Sequence, residues 1–377
     1  MPWNAVKVES LRKEFVRLVL EKRESIAELC RRFEISRKSG YKWIHRHSEE
    51  GDAGLADRSR RPLQFSNQSY RKIEDEVISA RQKHPSWGGR KIKVYLEKQR
   101  AVRYPAASTI TAILRRNGLL LESARREKPV GRFERSAPNE LWQMDFKGDV
   151  PANDGRCFPL TVLDDFSRYS ILLQACANQG LPTVKDRLTA AFKLYGLPLQ
   201  LLVDNGPPWG DDYYDRHTKL TTWLMRLGIH VIHSRPRHPQ TLGKDERFHR
   251  TLKLELLGTF MPCTLAQCQK RFDDWRIIYN HHRPHEALEM ETPASRFTFS
   301  SRPYPEKLPE IEYDSRDIVR KISSDGKISF KGYVLRISKA FANELVALRP
   351  DPDRDGTYQV FFLNQKIRTI DLSEAGK

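Results

Sequence analysis

The chain has 377 residues and a formal net charge of +18, with 66 lysines and arginines against 48 aspartates and glutamates. This length predicts two to four domains rather than one. Residues 1–140 hold 32 basic and 18 acidic side chains, whereas residues 141–377 hold 34 and 30. A basic first part on a nearly balanced remainder favours a nucleic-acid binder joined to a second unit. The alternative is an ordinary soluble protein with a high isoelectric point.

Three classes of protein are disfavoured by the composition. The first twenty residues carry charges throughout and lack the apolar centre of a signal peptide. No run approaches the roughly 18 apolar residues that span a bilayer, so no membrane contact is expected. Five scattered cysteines do not form a disulfide framework, which favours a reducing cytoplasm.

Residues 8–47 predict three helices, and the last two resemble a helix-turn-helix. Ser36 is a suitable cap for the second helix of that motif, which enters the major groove in DNA-binding proteins. Glu34 stands where the turn often has glycine, and Gly40 costs about 1 kcal/mol inside a helix. The alternative is a helical hairpin with solvated basic residues. The candidate DNA contacts are Arg37, Lys38, Tyr41, Lys42 and Arg46.

A second helical unit follows a linker at residues 51–62. The predicted helices cover 70–82, 89–99 and 108–116. This unit looks like a degenerate second helix-turn-helix, with Arg115 and Arg116 as candidate DNA contacts; a plain three-helix connector is an equal alternative. Residues 123–139, "SARREKPVGRFERSAPN", form a basic linker.

The segment from Leu141 alternates strand-like and helical patterns. Its strand-like stretches are "LWQMDFKGDV", "CFPLTVLDDFS", "RYSILLQACA", "LQLLVDNG" and "IHVIHS", and its helices cover 183–195, 215–227 and 240–257. The order βββαβαβα predicts a mixed sheet with helices packed on it. From Ile311 onward, short strands predict a small β-barrel or sandwich.

One cysteine and histidine spacing fits a zinc finger. Cys263, Cys268, His281 and His285 have the two-Cys, two-His separations. The sequence around the cysteines shows no hairpin signal, however, and its apolar residues recur at helical steps after Thr264, a good cap. We therefore expect an amphipathic helix and no zinc.

Three acidic residues stand out by their positions. Asp145 lies on the first core strand, Asp204 ends the fourth strand and Glu246 lies on the last core helix. Carboxylates gathered in a small volume repel one another unless cations neutralise them. Hard divalent cations with oxygen ligands are the natural partners, and two of them can support in-line phosphoryl transfer.

The motifs "WQMDF", "VDNG", "HPQTLGKDERFHRTLK" and "YNHHRPHEAL" resemble the integrase-core DDE transposases of bacterial insertion sequences, which are relatives of retroviral integrases. The resemblance covers residues 141–295 closely and the amino-terminal helices more loosely. It implies a ribonuclease-H-like fold, a catalytic and metal-binding triad of Asp145, Asp204 and Glu246, and two Mg²⁺ or Mn²⁺ ions. Lys253 would be the basic residue seven positions after the glutamate.

Asp245 and Glu246 are neighbours, so they point about 100° apart on a helix and only one faces the cluster. We assign Glu246, and we expect Asp245 to be a flank residue that pairs with nearby bases. A row of Glu246, His249, Arg250 and Lys253 would then combine one metal ligand with cations for the DNA backbone.

In many relatives about 35 residues separate the second aspartate from the glutamate, whereas here 41 lie between Asp204 and Glu246. The insertion leaves Asp211 and Asp212 as spare acids, which we expect to be loop or cap residues. Asp164 and Asp165 are expected to form a turn.

The resemblance implies a DNA transposase that binds terminal inverted repeats, cleaves 3′ ends and joins them to target DNA. Such a protein would act on double-stranded DNA as at least a dimer, in the bacterial cytoplasm near the nucleoid. The alternatives are a transposase-derived repressor without catalysis and a nuclease for RNA–DNA hybrids. The expected domains are 1–58 (helix-turn-helix), 66–122 (second helical unit), 123–139 (linker), 140–300 (catalytic core) and 305–377 (β domain).

Overall fold

The chain divides into two compact units, Met1–Gln68 and Ser69–Lys377. The computed structural model describes residues 8–58, 69–120, 134–210, 216–234, 243–259 and 263–373. In these ranges, no helix has the length and apolar character needed to cross a membrane.

The first unit is helical. Its elements are α1 (Val8–Leu20), α2 (Ile26–Arg32), α3 (Arg37–Glu50) and a 3₁₀ turn (Gly51–Leu55). Ser25 and Glu28 form a reciprocal capping box at the start of α2. The Ser36 hydroxyl accepts a hydrogen bond from the main-chain N–H of Ser39, which confirms the predicted cap of α3.

The two departures from the helix-turn-helix pattern have structural reasons. A Cβ atom on Gly40 would lie 2.6 Å from the Cys30 Sγ and 3.1 Å from the Phe15 Cζ. Glycine therefore allows α3 to pack closely on the other two helices. Glu34 adopts a φ of 53°, the left-handed conformation that glycine takes more easily.

The second helical unit contains α4 (Arg71–Lys83), α5 (Gly89–Arg100) and α6 (Ala107–Arg116), within one or two residues of the prediction. Apolar side chains from all three helices form one buried cluster. Gly89 permits close contact between α5 and α6, because a Cβ there would lie 2.4 Å from the Thr111 Oγ1.

A buried histidine joins α4 to α5. His84 stacks on Trp87 with ring centroids 3.8 Å apart and meets the Tyr95 ring edge-on at 5.2 Å. The ring is 8% exposed, and its Nε2 has no hydrogen-bond partner among the described residues. A protonated imidazole would lose its hydration in this buried position, so the stacked arrangement favours the neutral form of His84.

Burial lowers the pKa of His84 from its usual 6.5 to about 4, with Lys83 and His282 adding to the effect and Glu255 opposing it. The folded state thus binds this proton more weakly than the unfolded state. The stability contributed by His84 is complete above pH 6.5 and is lost as the pH falls toward 4.

We therefore expect His84→Phe to reduce acid sensitivity. Between pH 8 and pH 5 the wild type should lose about 2 kcal/mol more unfolding free energy than the variant. Denaturant unfolding at both pH values measures this difference. The exposed His45, changed to Gln, is the control and should follow the wild type. Identical pH dependence of His84→Phe and wild type would contradict the expectation.

The core sheet mixes antiparallel and parallel strands. Its strands are β1 (Leu141–Phe146), β2 (Val150–Ala152), β3 (Gly155–Asp164), β4 (Ser170–Cys176), β5 (Gln200–Val203) and β6 (His230–His233). They follow the order β2-β3-β1-β5-β6, with β4 also paired to β3. The first strands pair antiparallel, whereas β1, β5 and β6 are parallel. The mixed sheet is confirmed, and the short strand β2 was not predicted.

In the described part of the core, four helices accompany this sheet. They are α7 (Leu181–Tyr195), α8 (Lys219–Arg226), α9 (Gly243–Glu255) and α10 (Leu265–Ile277), and a π-helical turn (Ile278–His282) continues α10. The Thr264 hydroxyl caps α10 as predicted, and Cys263 and Cys268 are buried at its start with their sulfur atoms 3.2 Å apart. The helical interpretation of this segment is therefore correct.

The last part of the chain is all-β. Its strands are β7 (Ile318–Lys321), β8 (Lys327–Phe330), β9 (Tyr333–Arg336), β10 (Leu345–Pro350), β11 (Thr357–Phe362) and β12 (Gln365–Asp371). A four-stranded antiparallel sheet, β12-β11-β10-β7, accompanies the β8–β9 hairpin. The Thr222 hydroxyl of α8 donates to the Ala340 carbonyl at 3.0 Å, and the apolar core is continuous between the two parts. The small β domain is confirmed.

Candidate active site

Two of the predicted acids lie side by side on neighbouring parallel strands. The pairing of β1 with β5 sets Leu141 opposite Gln200 and Gln143 opposite Leu202. Continuing this register sets Asp145 opposite Asp204, which directly follows β5. The carboxyl ends of parallel strands meet at one sheet edge, so the two side chains share that edge.

Asp145 lies in an electrostatically unfavourable position. Its side chain is 34% exposed, and burial raises the pKa of its carboxyl to about 6. The negative charges of Asp204 and Glu246 raise this pKa further, while the main-chain N–H of Phe146 and the charge of Lys147 oppose the effect. The three predicted acids are therefore close enough to interact, and a cation at this position would relieve their repulsion.

Asp204 is exposed to solvent and is held from the neighbouring strand. Its Oδ1 accepts a hydrogen bond of 2.8 Å from the Ser234 hydroxyl, just after β6. The Nδ1 of His233 lies 3.3 Å from the main-chain oxygen of Asp204.

Helix α9 presents its residues differently from the prediction. Glu246, Arg250 and Lys253 are exposed, but His249 is only 6% exposed and faces the sheet. The predicted row of cations for the DNA backbone is therefore wrong at His249, which is buried. Asp245 is also not a flank residue paired with bases, because it is 1% exposed.

Asp245 and His249 instead approach Asp145. One ligand atom from each of these three residues lies within 4.8 Å of the other two, a group able to hold a metal ion. Burial, and next the charge of Asp145, raise the pKa of Asp245 well above its usual value. Burial lowers the pKa of His249 to about 3, so the imidazole is neutral.

The sequence carried a signal for this arrangement. Asp245 and His249 are one turn apart and share a helix face with Phe248 and Leu252, which are both buried. Polar residues on an apolar face require a buried partner, and Thr161 on β3 supplies it.

The remaining acids near the site have other partners or lie elsewhere. Asp164 accepts hydrogen bonds from Asn139 and Ser167, which confirms its role in a turn. Asp165 is buried and its carboxylate contacts the Lys244 ammonium at 2.5 Å. Asp211 and Asp212 lie outside the described residues.

The predicted DNA-contacting face of α3 is cationic and solvent-accessible. Arg37, Lys38 and Lys42 are exposed, and Tyr41 is 57% exposed. Arg46 is partly buried, with its guanidinium 5.2 Å from the centre of the Trp43 ring. The Lys42 ammonium lies 4.5 Å from the same ring. The buried indole thus supports two cations on this face.

On the second helical unit the two predicted contacts differ. Arg115 is exposed, whereas the Arg116 guanidinium pairs with the Glu74 carboxylate across the bundle. Arg116 would have to share or leave this ion pair to bind a phosphate.

Comparisons with known proteins identify domains and relatives of this chain. Family profiles described as "Integrase core domain" match residues 135–239 and 227–293, and "IS481 family transposase, C-terminal domain" matches residues 317–377. The "Insertion element IS476 uncharacterized 39.2 kDa protein" of Xanthomonas euvesicatoria is 27% identical over 249 residues, 64% of this chain and 69% of that protein. The "Insertion element IS407 uncharacterized 31.7 kDa protein" of Burkholderia multivorans is 26% identical over 232 residues, which cover 59% of this chain and 80% of that protein.

The chain thus carries an integrase core domain and an IS481-family transposase C-terminal domain, and its relatives are insertion-element proteins. Profiles described as "Helix-turn-helix domain" and "Homeodomain-like domain" match residues 11–62 and 39–114 of this transposase relative. Among solved structures, the HTLV-2 integrase catalytic core domain in complex with magnesium is 17% identical, with a TM-score of 0.33. The aligned region covers 42% of this chain and 97% of the viral domain.

Proposed function

We propose that this protein is a DNA transposase that binds the terminal inverted repeats of its insertion sequence, cleaves their 3′ ends and transfers them into target DNA. The observation that carries the proposal is the placement of Asp145 and Asp204 at one sheet edge, within electrostatic reach of Glu246. Water would attack the phosphodiester at the element end. The freed 3′-hydroxyl would then attack the target strand.

The donor set fits Mg²⁺ or Mn²⁺. Asp145, Asp204 and Glu246 offer only carboxylate oxygens, the ligands that these hard cations prefer. Asp145 and Asp204 would share the ions, and Glu246 would complete the site. Divalent cations held there would supply stabilisation of the charge that develops in phosphoryl transfer.

The exposed cations would position DNA. On α9, Arg250 and Lys253 are exposed next to Glu246 and would bind the backbone close to the cleaved bond. The α3 face would read the terminal repeat in the major groove, and Arg115 and Arg116 would add contacts from the second unit. Synapsis of two element ends would require at least a dimer of this chain.

The proposed role of each region follows the domains expected from the sequence. Residues 1–58 and 66–122 would bind DNA, 123–139 would link them to the catalytic core at 140–300, and 305–377 would form the accessory β domain.

The test uses the full-length protein, Mg²⁺ or Mn²⁺, and duplexes that carry the DNA ends flanking its own gene. We expect a metal-dependent nick that leaves a 3′-hydroxyl at the element end, resolved on a denaturing gel. A duplex with the same ends in scrambled sequence should remain uncut. Failure to nick the end duplex with either ion would contradict the proposal.

The α3 face gives a separate prediction. Lys42→Ala should weaken end-DNA binding by about 1–3 kcal/mol if the lysine contacts a base, with less discrimination between end and random DNA. If it contacts a phosphate, binding to both duplexes should weaken alike and the salt dependence should flatten. Fluorescence anisotropy at several salt concentrations separates these cases.

The control is Arg17→Ala, which removes the same charge from an exposed position of α1. Equal effects of Lys42→Ala and Arg17→Ala would show a general charge effect and would remove α3 from the proposed interface.

A further inference from the structure

Three buried polar side chains join α9 to the sheet beneath Asp145. Thr161 on β3 is fully buried, and Asp245 and His249 on α9 are 1% and 6% exposed. The Thr161 Oγ1 lies 2.8 Å from the His249 Nε2 and 3.3 Å from the Asp245 Oδ1. It also lies 2.9 Å from the main-chain oxygen of Asp145. A single hydroxyl therefore connects the helix that carries Glu246 with the strand that carries Asp145.

The direction of these bonds follows from counting protons. The Thr161 hydroxyl has one proton, and the carbonyl of Asp145 can only accept. When that proton is donated to the Asp145 carbonyl, the His249 Nε2 must donate its own proton to Thr161. The chain of donors then runs from His249 through Thr161 to the Asp145 main chain.

This direction leaves the Asp145 carboxylate unoccupied by the network. With the proton on Nε2, the His249 Nδ1 carries a lone pair, and it lies 3.9 Å from the Asp145 Oδ2. Two acceptors cannot form a hydrogen bond with each other. The network thus holds the Asp145 backbone while its carboxylate stays available to a cation.

Apolar packing alone would not fix the rotation of α9. Phe248 and Leu252 already bury this helix face, but apolar contacts are not directional. The Thr161 hydroxyl makes polar contacts with two positions of α9 one turn apart, and these directional contacts specify which face points inward. Because adjacent helix residues point about 100° apart, an inward Asp245 places Glu246 on the exposed side toward the acids.

We propose that Thr161, Asp245 and His249 are positioning residues that set Glu246 relative to Asp145 and thereby form the metal site. This proposal rests on the proposed function of that site. None of the three needs to touch the metal or the DNA.

The test compares one chemical change at two buried threonines. Thr161→Val removes the connecting hydroxyl. Thr251→Val removes a hydroxyl that, among the described residues, donates to the Arg247 carbonyl on the same helix. In the full-length protein, Mn²⁺ binding is measured from the electron paramagnetic resonance signal of the free ion. End cleavage and melting temperature are measured on the same samples.

We expect Thr161→Val to weaken Mn²⁺ binding by about tenfold, a typical loss for groups that orient metal ligands, and to slow cleavage at fixed Mn²⁺. Higher Mn²⁺ should restore part of the rate. Thr161→Ser, which keeps the hydroxyl, should recover most of the affinity, and Thr251→Val should bind Mn²⁺ like the wild type.

Two outcomes would overturn the inference. Equal Mn²⁺ affinity of Thr161→Val and Thr251→Val would reduce the network to ordinary packing. Loss of Mn²⁺ binding in Asp245→Asn as complete as in Asp145→Asn would make Asp245 a ligand instead. If the wild type binds Mn²⁺ but cleaves no end DNA, the proposed function fails, while the Mn²⁺ affinities of the variants still decide the positioning role.

Discussion

Asp145→Asn is expected to reduce end cleavage by about a thousandfold while end-DNA binding stays unchanged. Asparagine keeps the size and hydrogen-bonding capacity of aspartate but lacks the anion that a divalent cation requires. Losing about 4 kcal/mol of transition-state stabilisation corresponds to this factor. Asp204→Asn should have the same effect, because both carboxylates occupy the same sheet edge.

Binding should persist because the proposed DNA readers lie on the amino-terminal helices rather than at this edge. Electrophoretic mobility shift measures binding, and denaturing gels measure cleavage of the same duplex. Asp186→Asn, an equivalent change at an exposed position of α7, is the control. Wild-type cleavage by Asp145→Asn or Asp204→Asn would remove that residue from the site.

A second readout separates metal loss from misfolding. A ligand that binds only the folded state stabilises it by RT ln(1 + L/Kd), where L is the free ligand concentration, and so raises the melting temperature. Mn²⁺ should therefore raise the melting temperature of the wild type and of Asp186→Asn. It should leave that of Asp145→Asn nearly unchanged, while the unfolding transition without metal remains similar in all three proteins.

Much of the fold was predictable because the apolar periods of helices and strands differ clearly in this chain. The boundaries of α5 and α6 fall within one residue of the sequence prediction. Strand β2 was missed because its three residues lie within the polar, turn-rich stretch "KGDVPANDGR", where pairing with β3 rather than local pattern determines the strand.

The site was predictable only in part, for a similar reason. Asp145 and Asp204 were recognisable from their strand positions, and the parallel pairing of β1 with β5 supplies the rest. The inward side of α9 is marked by Phe248 and Leu252, but the prediction placed His249 on the other side because helical spacing alone does not fix the rotation of the helix. That rotation depends on Thr161, which is 84 positions before Asp245 in the sequence.

Glu246→Gln is expected to reduce the rates of cleavage and strand transfer by about a thousandfold, the same loss as in Asp145→Asn and Asp204→Asn. Glu246 is exposed at the start of α9, and its charge acts on Asp145. A solvent-accessible carboxylate can contact an ion that also contacts DNA. Duplexes with pre-cut ends and Mn²⁺ measure strand transfer separately from the first cleavage.

The neighbouring Asp245 gives the decisive comparison, because one of its carboxylate oxygens lies within 4.8 Å of a ligand atom of Asp145 while the residue is 1% exposed. The Asp245 carboxylate lies against Thr161 and His249, so we expect it to position α9 rather than to bind an ion shared with DNA. Asp245→Asn keeps an acceptor for the same contacts. We therefore expect the cleavage rate to fall by less than about tenfold, the lower limit for the loss of groups that orient metal ligands. An inactive Asp245→Asn beside an active Glu246→Gln would make Asp245 the third metal ligand in place of Glu246. His249 would then lie beside that ligand in the metal site.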